Sequence, residues 1–291
     1  MYDIVVVGSI NADLVFEADK RPNPGETLIG KDFKTVPGGK GANQAIAASR
    51  LGAKVAMMGC LGEDQNGIFL EENLKVNKVE TKFIKKVKGV PSGVAGITLA
   101  EGDNSIIVVP GANYEVDKTY IDKNIEVIKS AKIVLLQLEI PIEVVEYVID
   151  ICSKNRVKTI LNPAPIQTLK EDTLEKLDYL TPNEHEFDIL YGSKREEEML
   201  KKHKNKLIIT KGSEGVSFSD GDKVINVPSN KVEVVDTTGA GDTFNGSFAY
   251  SLVKGMSIKE SIEFANKAAA ISVTKFGAQG GMPTLKEVDE F

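Results

Sequence analysis

The sequence predicts an α/β fold: a mostly parallel sheet with helices on both faces, plus a second, smaller sheet set apart from it. Three observations carry this. Short apolar runs alternate many times with helix-like stretches across short loops. Two stretches, Leu14–Phe33 and Val87–Pro110, alternate like hairpin strands and leave no room for a crossover helix. The notable polar residues fall mainly where strands end, which is where open α/β sheets hold ligands. With 291 residues and 42% apolar content, the chain suffices for one large domain, or for one domain with a small appendage.

Asp3–Gly8 (DIVVVG) reads as a buried strand ending at a glycine, followed at once by Asn11 and Asp13. Two short polar side chains there can hold hydroxyls or close an Asx-turn. Alternation at Leu14, Phe16 and Ala18, and again at Leu28, Gly30 and Asp32, predicts two antiparallel strands joined through the turn signals at Arg21–Gly25. Pro37–Gln44 (PGGKGANQ) then opens an Ala-rich helix that Gly52 ends. Gly38 and Gly39 allow close backbone approach, and Asn43 lies on the first turn. The stretch lacks the spacing of an NTPase P-loop, and no GxGxxG follows the first strand.

Lys54–Cys60 reads as a strand and Gly67–Asn73 as a helix. Val94–Leu99 and Ser105–Val109 form the second hairpin around Glu101–Asn104. A helix-like stretch over 117–130 precedes a strand at Lys132–Leu138, so Glu139 falls at another strand's carboxyl end. A helix at Ile142–Lys154, a strand at Lys158–Leu161 and a short strand at Leu177–Leu180 follow, the last running into Thr181–Glu186. Residues 194–203 look helical, and Lys206–Thr210 is a strand opening into Lys211–Gly215. Ser217–Ser219 and Lys223–Val227 make a hairpin, and Ile258–Phe276 an Ala-rich helix.

The stretch richest in chemistry is Val234–Gly246 (VVDTTGAGDTFNG). Val232, Val234 and Val235 predict a short strand that stops at Asp236. Phe244, Phe248, Ala249, Leu252 and Val253 recur at helical spacing. A Gly-rich turn opening a helix presents unpaired amides and a favourable dipole, which makes an anion site. Asp242 within it is either a helix cap or a base that takes a proton from a hydroxyl while the amides hold a phosphoryl group. Asn183 and Glu186 either cap a helix or, through waters, hold the magnesium that a nucleotide requires.

Other chemistries are excluded. A balance of 36 basic and 42 acidic residues, net charge -6, gives no general attraction to nucleic acid. The clusters Lys85–Lys88 and Lys201–Lys206 read as solvated faces. No apolar run approaches the length of a membrane span, and a strand starts too early for a signal peptide. Cys60 and Cys152 sit in apolar contexts without a CxxC, which fits reduced thiols in the cytoplasm. Neither His185 nor His203 belongs to a zinc motif, and no G-x-S-x-G elbow occurs. A Gly-rich anion cradle with a lone base and scattered acids favours phosphoryl transfer.

The two glycine stretches, Gly38–Ala45 (GGKGANQA) and Asp236–Phe244 (DTTGAGDTF), together resemble the signatures of the carbohydrate kinase family that contains ribokinase, fructokinase and adenosine kinase. Lys40 after the paired glycines and the opening Gly8–Asp13 look like its ribokinase branch. The resemblance runs from Ile4 to about Pro283, essentially the whole chain. It implies a Rossmann-like α/β domain (1–13, 34–86 and 111–291) with a small β-sheet lid (14–33 and 87–110) that commonly also forms a homodimer interface. It implies that Asn11, Asp13, Gly38, Gly39, Lys40, Asn43 and Glu139 bind the sugar, and that Asp242 deprotonates its 5-hydroxyl. The amides of Gly239, Ala240 and Gly241 would hold the transferring phosphoryl group of ATP. Asn183 and Glu186 would place magnesium and the phosphates, Thr210, Gly212 and Gly215 would lie by the nucleotide, and Asn266 near its adenine. A potassium ion would sit by Asp236, Thr238 and carbonyls near Ser272 and Gly277, with glycine at 280 and 281 where some relatives offer a serine hydroxyl. The implied reaction converts D-ribose and ATP to ribose 5-phosphate and ADP. Kinases of fructose, deoxyribose or a nucleoside, and a sugar or nucleotide sensor without turnover, are the alternatives.

Overall fold

In the computed structural model, which describes residues 1–192 and 194–291, the first apolar run forms β1 (Ile4–Val7), and the chain passes directly into β2 (Asn11–Glu17). After a long loop, β3 (Asp32–Gly38) runs straight into α1 (Lys40–Arg50). β4 (Val55–Met58), β5 (Cys60–Gly62), α2 (Gln65–Val76) and β6 (Lys85–Val87) lead to a hairpin of β7 (Gly93–Ala100) and β8 (Asp103–Val109). Alternating elements follow: α3 (Lys118–Lys123), α4 (Ile125–Lys129), β9 (Ile133–Leu136), α5 (Ile142–Asn155), β10 (Lys158–Leu161), α6 (Glu171–Lys176) and β11 (Tyr179–Leu180). The last third holds α7 (Glu184–Tyr191), α8 (Glu196–Lys202), β12 (Ile208–Thr210), β13 (Val216–Ser219) and β14 (Val224–Val227). It closes with α9 (Ala240–Val253), α10 (Ile258–Ser272), α11 (Ala278–Gly281) and α12 (Leu285–Glu290).

The main sheet has the order β11-β10-β9-β1-β4 and is parallel throughout. Parallel bridges at Leu180–Leu207 and Asn183–Thr210 connect it to the antiparallel trio β12-β13-β14. Both faces are covered, which is why the central strands β1 (IVVV) and β9 (IVLL) are unbroken runs of Val, Ile and Leu. Ile4 and Val6 point into one core with α1, α9 and α10, and Val5 and Val7 into the other with α3, α4 and α5. Four alanines on α1 let it lie close to α9. A Cβ on Gly246 of α9 would stand 2.6 Å from the Gln44 carbonyl oxygen and 2.7 Å from Ala47 Cβ, so only glycine fits.

The second sheet has the order β3-β2-β7-β8, with β2 and β7 parallel and the outer pairs antiparallel. Its inner face carries Val15, Ala95 and Ile97, packed with Val36 and Leu99. Its outer face carries Phe16, Phe33, Ile107 and Val109, all exposed.

Four expectations about elements need correction. The strand expected over Leu28–Asp32 begins only at Asp32: the loop that carries Pro22, Pro24 and Gly25 returns to β2 at Lys31, whose amide donates to the Glu17 carbonyl at 2.7 Å, and β2 pairs with Asp32–Gly38. Asn11 and Asp13 therefore lie on a strand and not in an Asx-turn. No strand forms at Val232–Val235 either: Val235 and Asp236 donate their amides to the Val273 carbonyl at the end of α10, and Val234 and Val235 stay exposed. The stretch 117–130 divides at Asn124 into α3 and α4, and the helix expected to reach Phe276 ends at Ser272. Among the described residues no helix is long and apolar enough to cross a membrane. Cys60 and Cys152 are free and buried, and burial pushes both thiols up to about 12, which makes them inert.

Candidate active site

Asp242 is the centre of the site, and it is not a cap. The N-cap of α9 is Gly239, at φ 77°, and Asp242 stands in the first turn, buried with 7% of its surface exposed. Its carboxylate accepts from two consecutive residues of α1, Asn43 Nδ2 on Oδ2 at 2.8 Å and Gln44 Nε2 on Oδ1 at 3.0 Å. The Asn43 amide is itself oriented: Gln279 Nε2 donates to Asn43 Oδ1 at 2.8 Å, and Asn73 Nδ2 donates to Gln279 Oε1 at 2.8 Å. Beside the carboxylate, the Ala240 amide is engaged by the Thr237 carbonyl at 3.2 Å. The Gly239, Gly241 and Asp242 amides have no acceptor among the described residues, so these three are donors free to take an anion, whereas the expected Ala240 amide is not. Asn245 Nδ2 holds the Gly241 carbonyl at 2.8 Å, and the Thr181 hydroxyl holds Asn245 Oδ1 at 2.6 Å, fixing this turn to the end of β11.

The other glycine stretch faces Asp242 from the opposite side. Gly39, at φ 87°, joins β3 to α1, and a Cβ there would stand 2.6 Å from the Asn11 amide nitrogen. A Cβ on Gly38 would collide with the Asp13 carboxylate. Both glycines thus clear space for Asn11 and Asp13 on β2. Asn11 is buried, and its Oδ1 accepts from Asn113 Nδ2 at 2.7 Å. Glu139 accepts from the Ser9 hydroxyl and, at 3.1 Å, from the Lys40 amide at the start of α1. Burial raises Asp13 to about 7, helped by the negative charges of Glu139 and Asp242 and opposed by Lys40. Burial works against the Lys40 ammonium, yet Asp242, Glu139, Glu186 and Asp13 together hold it above the usual lysine range. Four carboxylates thus act on one lysine. A cleft of about 700 Å³ opens between the inner face of the second sheet and the loops at 234–238 and 276–278, with Asp13, Val36, Ile97, Thr238 and Ala278 in its lining.

The residues expected around a nucleotide lie along the carboxyl ends of the main sheet. Asn183 and Glu186 form a reciprocal capping box on α7, Asn183 Oδ1 accepting from the Glu186 amide and Glu186 Oε2 from the Asn183 amide. Capping accounts for one Glu186 oxygen only. Burial raises this carboxyl, while the Asn183 amide and Lys40 oppose the shift. Thr210 ends β12, and Gly212 (φ 51°) and Gly215 (φ 99°) shape the turn after it. Asn266 on α10 donates to the carbonyls of Val227 and Pro228 at 3.3 and 3.2 Å. Asp236 accepts from the amides of Thr238 (2.9 Å) and Gly277 (2.8 Å). Although burial works against its charge, these bonds hold its carboxyl below the usual range. Gly281 packs against the Ser272 carbonyl so closely that no side chain fits, whereas Gly280 has open space beside it.

Sequence reasoning gave no role to Gln44, Gln137, Asn162 or Gln279. The first three were in view, Gln44 inside the glycine stretch and Gln137 and Asn162 at strand ends. Their contacts with one another and with Asp242 span 93 to 198 residues, which no local pattern encodes.

A buried carboxylate at a helix N-terminus beside free amides, facing further polar side chains at the strand ends of an α/β sheet, is an arrangement suited to phosphoryl transfer to an alcohol. The chain belongs to the pfkB family of carbohydrate kinases, whose model matches residues 1–285. It is 51% identical to a ribokinase of Bacillus subtilis over 290 residues, covering 100% of this chain and 99% of the relative. It is 35% identical over 300 residues to a deoxyribokinase of Salmonella typhi, covering 99% and 98%. Its fold is similar to the structure of an Arabidopsis thaliana ribokinase complexed with ribose and ATP, with TM-score 0.92, 36% identity and coverage of 99% and 98%.

Proposed function

We propose that this carbohydrate kinase transfers the γ-phosphoryl group of ATP to the 5-hydroxyl of D-ribose, giving ribose 5-phosphate and ADP. The observation that carries the reading is the buried Asp242 carboxylate, held by two amides beside the free amides of Gly241 and Asp242. Asp242 accepts the proton of the 5-hydroxyl as that oxygen bonds to the γ-phosphorus. The bond from phosphorus to the bridging oxygen breaks, and ADP leaves with the electron pair. The glycine turn offers its amides where charge develops on the phosphoryl oxygens, and Lys40 adds a positive charge from the other side. Asn11, Asp13, Asn43 and Glu139, with the backbone at Gly38 and Gly39, orient the sugar so that one hydroxyl faces Asp242. Asn183, Glu186, Thr210, Gly212, Gly215 and Asn266 line the nucleotide side.

Two cations fit this donor set. Glu186 keeps one oxygen free of the capping box, in a place where burial disfavours its charge, which suits water-mediated Mg2+; magnesium bound with ATP offsets phosphate charge. Among the described residues no group of three or more His, Cys, Asp or Glu side chains is placed to hold a metal ion. Asp236, held by the Thr238 and Gly277 amides, would supply one carboxylate, with Thr238 and carbonyls near Ser272 and Gly277 as neutral donors, a charge balance suited to monovalent K+. Potassium held by these residues would add positive field at the glycine turn.

We read the second sheet as a lid over the α/β body, and because β2 and β3 span Asn11–Glu17 and Asp32–Gly38 its first piece runs over 11–38 and not 14–33, with 87–110 as the second. The exposed apolar outer face of the second sheet fits a second copy of the chain, making a homodimer. A coupled assay of ADP release across D-ribose, deoxyribose, fructose and adenosine, with and without potassium, tests the reading. D-Ribose should give the highest kcat/KM. Asp242→Asn should lower kcat by roughly 10²–10⁴-fold. Ribose binding without ADP release would leave a sensor, and near-normal turnover of Asp242→Asn would remove the base assignment.

A further inference from the structure

Gln44 is fully buried on α1, and it is placed to hold the Asp242 carboxylate while being shut off from any substrate. Its Nε2 carries two hydrogens. One reaches Asp242 Oδ1 at 3.0 Å, and the other reaches Asn162 Oδ1 at 3.2 Å. Its Oε1 accepts from Gln137 Nε2 at 2.7 Å. Asn162 is oriented in turn, because its Nδ2 donates to the Thr181 carbonyl at 3.3 Å. A flipped Gln44 amide would set oxygen against the Asp242 and Asn162 oxygens and nitrogen against Gln137 Nε2. The amide therefore has one allowed orientation, and the bonds from Gln137 to Gln44 and from Gln44 to Asp242 both run toward the carboxylate.

The far end of this chain is costly. Gln137, at the end of β9, is fully buried, and its Oε1 has no hydrogen-bond partner among the described residues. The same oxygen lies where a Cβ on Gly8 would be, so the preceding strand end is shaped around it. An apolar residue would fill that space without an unpaired acceptor. A buried, half-satisfied amide makes physical sense where it orients something else. The Gly246–Gln44 contact brings α1 close enough to α9 for Gln44 to reach Asp242 at all.

We propose that Gln44, oriented by Gln137 and Asn162, is the positioning residue of the phosphoryl-transfer step, fixing the Asp242 carboxylate with one lone-pair direction per oxygen left for the sugar hydroxyl. The proposal rests on the reading of Asp242 as the base. A carboxylate has about four acceptor sites. Asn43 and Gln44 take one on each oxygen, which stops rotation of the group. Asn43 faces the sugar side, whereas Gln44 acts through Asp242 alone.

The experiment uses the full chain, with D-ribose, ATP and magnesium. Gln44→Met keeps the length and removes both donors. Loss of one hydrogen bond to a charged group should lower kcat by about tenfold to a hundredfold and leave the KM for ribose within about twofold. Gln44→Glu sets a second carboxylate against Asp242. It should move the acidic limb of the kcat profile to higher pH and recover activity as pH rises. Asp13, Lys40, Glu139 and Glu186 also face this cluster, so the readout is the displacement of the limb relative to the wild type.

In an Asp242→Asn background, Gln44→Met should cost nothing further, a non-additivity that a merely structural role would not give. Should Gln44→Met melt out of the native fold, Gln137→Met carries the test, with the same sign and a smaller loss. Unchanged kcat and an unmoved limb in folded Gln44 variants, with Asp242→Asn inactive, would overturn the proposal and leave the base in place. Near-normal turnover of Asp242→Asn would overturn both.

Discussion

Asp13 carries the clearest consequence of charge crowding. Burial, then Glu139 and Asp242, raise its carboxyl to about 7, against an ordinary value of 3.8. Sugar hydroxyls donate, so the ionised form is the better acceptor, and it is lost as pH falls through about 7. The KM for ribose should therefore rise by about tenfold from pH 8 to pH 6, and Asp13→Asn should flatten that dependence. A wild-type KM that stays level across the range would contradict it. Stability runs the opposite way. Between the unfolded and folded values the native state binds more protons than the unfolded chain, so stability falls as pH rises from about 4 to about 7. The penalty is complete above that window. Asp13→Asn should raise the melting temperature at pH 8, and the gain should shrink toward pH 5.

At the scale of elements, the crossing of α1 and α9 holds the site together. Consecutive residues Asn43 and Gln44 reach the same carboxylate only because Gly246 lets the two helices touch. Gly246→Ala would have to push the Gln44 carbonyl or Ala47 aside. Overpacking of that kind costs about 1–3 kcal/mol; a lower melting temperature with a kcat loss larger than the KM change is the expected result, read by thermal melts and steady-state kinetics. An alanine variant that melts and turns over like the wild type would show that the contact has slack. Much of this arrangement was legible in the sequence. The glycine pairs, the Ala-rich α1 and the helical spacing after Asp242 place α1 and α9 and mark their N-termini as the site. The two hairpin-like insertions foretell a separate sheet. The strand expected at Val232–Val235 fails for a reason outside its own pattern: those amides are taken by the end of α10, 38 residues on from Val235 in the chain. The amides around Asp242 were illegible for the same reason, since Gln44, Gln137, Asn162 and Gln279 acquire meaning only when distant strand ends and helices meet. Asn183 and Glu186 show a different limit. A capping box and a water-mediated cation site use the same residues, so finding the box does not decide against the site.

On the scale of the molecule, the second sheet has two faces with different work. Its inner face bears Asp13 and the apolar side chains that roof the cleft. On its outer face Phe16 pairs across the strands with Phe33, their rings 5.0 Å apart, and Ile107 pairs with Gly96 next to Leu14. Ile107 is 74% exposed, and β8 is an unpaired edge whose residues Ile106–Val109 are all exposed. A solvated monomer seldom keeps a large apolar sheet face with an open apolar edge, because both invite association. A second copy related by a twofold axis would cover this face and stiffen the sheet from behind. Sedimentation at micromolar concentration should then show a dimer, and Ile107→Glu, which puts a charge at the centre of the patch, should give a monomer. Because the same sheet carries Asp13 on its other side, the monomeric variant should bind ribose more weakly, with KM rising more than kcat falls. A wild type that sediments as a monomer would remove the dimer. A monomeric Ile107→Glu with unchanged KM would keep the dimer but detach it from the sugar site, leaving the sheet rigid through its root alone, where Asn113 binds the Ile10 amide and the Asn11 side chain.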